Sequence, residues 1–146
     1  MRTLPIVWQR LVTSGGRTCE RCDATHEQML RAVRKLAKAL HPVGIRPALE
    51  IRELDEASFR ADPSQSNRVW IAGRPLEEWL GGRVGDSRCC SVCGDSSCRT
   101  VEVGGTVYEA IPEALFLEAA LVAAARLVAR PAERPPRGTA RPPTRR

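Results

Sequence analysis

Apolar and polar positions alternate at the start of the chain. Leu4, Ile6 and Trp8 fall on one side of an extended segment and Val7 on the other, which predicts a strand over residues 3–9 with Pro5 near its start. Ser14, Gly15 and Gly16 mark a loop. The period then lengthens. Met29, Val33, Leu36 and Leu40 recur at helical spacing, widened by Leu30 and Ala37, so residues 25–41 read as a helix that Pro42 and Gly44 stop. Residues 48–54 alternate again as a second strand, and strand, helix and strand make a βαβ unit. A short helix follows at 55–60, ended by Asp62 and Pro63. A third strand is expected at 68–72, then a turn at Gly73-Arg74 and a short helix at 75–80 with Pro75 in its first turn. Gly81-Gly82 opens a cysteine-rich loop, and two β-rich runs around Gly104-Gly105 signal a hairpin. The last helix, 113–129, is apolar nearly all round and is expected to be buried or to meet a second copy in a homodimer.

At 146 residues, 42% hydrophobic and 27% charged, the chain is long enough for one domain with a real core. Its net charge of +6 changes meaning once located. Residues 131–146 carry five arginines against one glutamate, a charge of +4 that leaves +2 for the rest. That Pro/Arg tail cannot build a core and is expected to be disordered, beside a folded domain over 1–130. No aromatic pattern accompanies the basic residues, so nucleic acid ranks last among partners. The first apolar run is broken by Gln9 and Arg10, too short for a signal peptide. The stretch 114–129 is interrupted by Glu118 and Arg126, short of a membrane span. The expected compartment is the cytoplasm, where clustered cysteines serve as metal ligands or catalytic thiols more often than as structural disulfides.

The six cysteines occupy two windows, Cys19 and Cys22, then Cys89, Cys90, Cys93 and Cys98. Two readings of the first window stay open. If a helix starts at Cys19, its dipole and free N–H groups favour a Cys19 thiolate, and Arg17 and Arg21 add positive field; Cys19 would attack a disulfide and Cys22 would resolve it. Thr25 and Gln28, however, have capping-box spacing, which would start the helix at His26 and leave the cysteines in the loop before it. A loop Cys-x-x-Cys offers two thiolates to one soft ion, and Cys90-x-x-Cys93 repeats the pattern, so the pairs together supply the four that zinc prefers. The second window also holds four cysteines of its own. Thiolates equally suit copper, mercury, arsenic or an iron–sulfur cluster. The competing reading of the second window is a structural zinc or disulfide staple on a Gly-rich loop. His26 is placed to assist Cys22 but reads as a solvated side chain, and His41 as a residue favoured by a helix C-terminus. Trp8, Trp70 and Trp79 read as core or as cover for the cysteine loop, Glu77 and Glu78 as a solvated helix face, and Asp86 and Asp95 as turn formers.

The element order resembles the thioredoxin fold, which carries its dithiol where Cys19 and Cys22 stand. More closely, the stretches "VWQRLV", "TCERC", "NRVWIAGRPLEEWLG", "CCSVCGDSSCRTVEV" and "VYEAIPEALFLEAALVAA" resemble a prokaryotic family of small thioredoxin-like domains without an assigned function, over residues 3–129. The resemblance implies an α/β thioredoxin-like sheet with a cysteine-rich insertion at 75–98 before the hairpin. It implies working thiols at Cys19 and Cys22, and it names no chemistry. Thioredoxins place a cis-proline before the third strand, facing the dithiol. Ser66 and Asn67 stand there instead, the nearest proline being Pro63, and that loss favours access of a metal ion to the thiols. In such a sheet both windows would converge at one end. The leading expectation is binding or transfer of a soft metal ion by Cys19, Cys22, Cys89, Cys90, Cys93 and Cys98. The alternative is a thiol–disulfide oxidoreductase working on a partner protein, and neither calls for a nucleotide cofactor.

Overall fold

The computed structural model describes residues 1–88 and 96–130. Its centre is β1 (Arg2–Leu11), ten residues whose Leu4, Ile6 and Trp8 point into the core. Each such buried side chain contributes about 1.5–3 kcal/mol by leaving water. β1 pairs in parallel with β2 (Ile45–Leu54), from Arg2 opposite Ile45 to Leu11 opposite Leu54. On its other edge it pairs antiparallel with β3 (Arg68–Ile71), which pairs antiparallel with the two-residue β4 (Arg74–Pro75). The sheet order is therefore β2-β1-β3-β4. Ala72 and Gly73 both take positive φ, 51° and 76°, in the tight turn that joins the last two strands.

The chain between β1 and β2 forms α1 (Glu20–Leu40). Its buried residues, Cys22, Thr25, Met29, Ala32, Leu36 and Leu40, recur every three or four positions and so form one stripe. That stripe joins the same core as α4 (Glu113–Ala129), and the two helices pack together. A short helix, α2 (Glu56–Ala61), follows β2. The Asp55 carboxylate caps it by accepting from Ser58 N at 2.7 Å. After β4 come the single turn α3 (Leu76–Trp79) and a second sheet, in which β6 (Ser97–Val103) runs antiparallel between β5 (Arg83–Arg88) and β7 (Thr106–Tyr108). No helix among the described residues is long and apolar enough to cross a membrane.

The molecule is thus a mixed α/β protein, and several expectations need correction. The hairpin around Gly104-Gly105 forms as expected, with φ of 59° and 81°, but it belongs to the second sheet, and β4 takes the fourth place in the first. β5 lies in what reads as loop, because Val84 is its one large apolar residue and no alternation marks it. Glu77 is no solvated side chain: it is 8% exposed and ion-paired with buried Arg99, which also donates to Ser64 O at 2.9 Å. Burial pulls the Arg99 pKa down against the pull of Glu77. Glu78 is exposed and pairs with Arg74 at 3.2 Å. α4 buries one face only, through Leu115, Phe116, Ala119, Ala120, Ala123 and Ala124, and leaves Leu121, Val122 and Val128 exposed. The Pro/Arg tail lies outside the described residues.

Candidate functional site: a buried dithiol at the start of the first helix

The first helix settles where the dithiol stands. Cys19 is its N-cap residue, with φ −80° and ψ 161°, and Asp23 N donates to Cys19 O at 3.0 Å as the first helical bond. Cys22 lies within the first turn. Thr25 does not cap this helix. Its hydroxyl accepts from Ile111 N at 3.0 Å, and Gln28 Oε1 accepts from Glu113 N at 3.0 Å. The pair therefore serves α4, whose own N-cap, Pro112, offers no side-chain cap. The helix starts at Glu20 rather than at His26, because the two side chains of the capping pattern are spent on a neighbour.

Both sulfurs are thiols and both are buried, Cys19 at 1% exposure and Cys22 at 0%. The Cys22 thiol is held far above the ordinary cysteine range. The largest cause is its hydrogen bond to Cys19, followed by burial and by the charge of Cys19, while Ser66 and Thr18 act the other way. Ser66 Oγ lies 3.7 Å from Cys22 Sγ and accepts from Leu11 N at 3.3 Å. Asn67 beside it takes positive φ, 56°, and its Oδ1 accepts from Trp8 Nε1 at 3.0 Å. The Ser66-Asn67 step before β3 therefore does face the dithiol, with no cis peptide among the described residues. His26 is not a solvated side chain; it stacks on Trp8 with ring centroids 5.1 Å apart.

Arg21 stands between the two cysteines and is largely buried. Its guanidinium donates to Ser87 Oγ at 2.8 Å and to Arg88 O at 2.6 Å, and pairs with Glu109 at 3.2 Å. Ser87 Oγ in turn donates to Glu109 Oε1 at 3.2 Å. One side chain thus fastens the dithiol turn to the end of β5 and to the segment after β7. The Arg88 carbonyl belongs to the peptide that continues into Cys89.

Cys19 and Cys22 are brought together with Ser66, Thr18 and Arg21. Cys98, at the start of β6, is 3% exposed, disulfide-bonded and part of the same buried cluster as Cys19 and Cys22. Cys89, Cys90 and Cys93 lie outside the described residues, as does Asp95. Among the described residues no three His, Cys, Asp or Glu side chains gather as a metal site. Ser87 and Glu109 escape sequence reasoning, since neither sits in a motif and only the tertiary fold gives each a partner. On sequence Arg21 is a source of positive field, and its tethering role leaves no mark there.

A family profile described as a domain of unknown function, DUF2703, matches residues 4–120. The chain is also similar to an uncharacterised protein of Archaeoglobus fulgidus, 43% identical over 108 residues that cover 74% of this chain and 78% of the relative. No solved structure matches the chain.

Proposed function

We propose that this chain, which belongs to the DUF2703 family, is a thioredoxin-like thiol–disulfide oxidoreductase in which Cys19 attacks and Cys22 resolves. The observation that carries the reading is the placement of Cys19 as N-cap of a 21-residue helix, with the proton-retaining Cys22 thiol one turn on. An N-cap position favours an anionic sulfur through the helix dipole and the unpaired N–H groups of the first turn. The sheet order β2-β1-β3-β4, parallel at β1/β2 and antiparallel at β3, supports the thioredoxin-like assignment. So does the position of Ser66 against Cys22 just before β3.

The causes acting on Cys22 order the steps. While Cys19 is anionic, its charge and its hydrogen bond keep the proton on Cys22. Attack by Cys19 on a disulfide makes its sulfur neutral in a mixed disulfide, which removes both of those causes. Burial then remains, opposed by Ser66 and Thr18, and Cys22 can ionise and displace the substrate thiol. The resolving thiol is released only after the first bond has formed.

A second reading, a carrier of a soft ion such as zinc, copper, mercury or arsenic, is favoured by one observation: Arg21 holds the peptide leading into the second cysteine window beside the dithiol. Such an ion would take two thiolates from Cys19 and Cys22 and displace the Cys22 proton. Two measurements separate the readings. Cys19→Ser should abolish dithiol-driven reduction of a model disulfide if the protein is an oxidoreductase. Elemental analysis of anaerobically purified protein showing a stoichiometric soft metal, lost in Cys19→Ser, would instead establish the carrier.

A further inference from the structure

We propose that the chain carries a second binding site, towards the opposite end of the first sheet from the dithiol, for a small anion with a planar aromatic body. A cavity of about 350 Å³ opens there between the start of β1, the turn after β3, α3 and the end of α4. That volume lies within the range of small-molecule pockets. Leu11 marks the dithiol end of β1, since its N–H donates to the Ser66 hydroxyl that faces Cys22. Pro5, on the cavity wall, stands six residues earlier on the same strand, a separation of about 20 Å at ~3.3 Å per residue.

The floor of the cavity is apolar. Pro5, Ala72, Ala123 and Leu127 line it, and Trp79 adds an indole. That indole is held in place by the protein itself. Its Nε1 donates to Ile71 O at 2.8 Å, and the next residue, Ala72, donates its N–H to Pro5 O at 2.9 Å, so one turn fixes both walls. Walls already fixed need little ordering when a ligand arrives.

The rim is cationic, through Arg74, Arg126 and Arg130. The guanidiniums of Arg74 and Arg126 each lie over the Trp79 ring, with Cζ 4.9 Å from its centroid. Glu78 pairs with Arg74 at 3.2 Å, whereas among the described residues neither Arg126 nor Arg130 has a carboxylate partner. Two positive charges are left over, one turn of α4 apart. The free carbonyls of a helix C-terminus would ordinarily repel an anion. Here the Arg2 guanidinium donates to Leu127 O, and to Arg130 O at 3.4 Å, which offsets that repulsion.

Floor and rim select together. Guanidiniums grip carboxylate or phosphate oxygens through paired N–H donors, while the floor rewards burial of a flat ring. A bare inorganic ion leaves the floor wet, and a neutral ring leaves both charges unanswered. Aromatic carboxylates and nucleoside monophosphates share the required chemistry.

Titration of the full chain, labelled at its indole nitrogens, with 2-naphthoate and with adenosine monophosphate tests the site by nuclear magnetic resonance. At low salt at least one of them should shift the Trp79 indole N–H signal saturably, with a Kd below about 1 mM. The Trp8 signal, whose N–H is bonded to Asn67 near the dithiol, should stay in place. Trp79→Phe identifies which signal is which. Arg126 and Arg130 are exposed, so the double variant Arg126→Gln/Arg130→Gln should fold and lose affinity by at least about tenfold. Inorganic phosphate and adenosine should each bind at least about tenfold more weakly than the better aromatic anion. The tighter of the two anions names the source, an aromatic acid or a nucleotide, and equal affinities mean that the anionic ring itself is recognised. Absence of a saturable Trp79 shift with both, a smaller loss in the double variant, or inorganic phosphate or adenosine binding as tightly would overturn the proposal.

Discussion

A thiol that keeps its proton because Cys19 hydrogen-bonds it and burial disfavours its thiolate makes the stability of the fold depend on alkaline pH. An unfolded cysteine ionises near 9.0, while folded Cys22 is held well above that by Cys19 and by burial. Its contribution is therefore complete below about pH 9 and is lost as pH rises beyond it, because the unfolded chain then sheds a proton that the folded chain retains. Denaturant titrations between pH 8 and pH 10 should show stability falling by up to about 1.4 kcal/mol per pH unit for that one proton. Cys22→Ala should flatten the slope, and parallel curves for the two proteins would refute the assignment. Thr25 offers a second test at this scale. Thr25→Ala leaves Ile111 N buried without its acceptor and should cost about 1–3 kcal/mol, whereas Thr25→Ser should keep most of the stability. The dithiol was legible in the sequence because Cys-x-x-Cys spacing is a local signal. The true role of Thr25 and Gln28 was not, since a capping pair looks the same whichever helix receives it.

Among elements, the Arg99–Glu77 pair joins the second sheet to α3, beside the tether that Arg21 makes to the end of β5. A buried pair is costly to break from one side, so Glu77→Ala should lower stability by about 3–5 kcal/mol by stranding Arg99. Replacing both residues by Met and Leu together should cost much less, which a denaturant midpoint would show. Gly82 controls the approach of β5. A Cβ there would meet Glu102 O at 2.6 Å, and Gly82 N already donates to Glu77 O at 2.7 Å. Gly82→Ala should therefore destabilise the second sheet, read as faster amide exchange in β6 than in β1. β1, β2 and α1 were legible from their periods, and β3 and α4 from their apolar composition. β5 was not, since a strand held by its neighbour needs no apolar face of its own, and the place of the hairpin was not, since pairing between distant segments leaves no local pattern.

Over the whole molecule, stability should be graded outwards from β1. That strand is hydrogen-bonded on both edges and lies beneath the core shared by α1 and α4, whereas β5 pairs on one edge with mostly exposed side chains. Hydrogen exchange should accordingly be slowest at Leu4, Ile6 and Trp8 and fastest, among strands, in β5. A flat protection pattern would contradict this. The α/β class could be read from the alternation of strand and helix periods, but the division into two sheets depends on which edges meet. The Arg21 tether has a thermodynamic consequence that follows from reciprocity alone. If oxidising the dithiol weakens the hold of Arg21 on the Arg88 carbonyl by some free energy, then displacing that peptide by any other means makes the dithiol easier to oxidise by the same amount. A coupling of about 1.4 kcal/mol would change the ratio of oxidised to reduced dithiol tenfold. The end of β5 would then act as a handle on the reduction potential of thiols it does not itself contain.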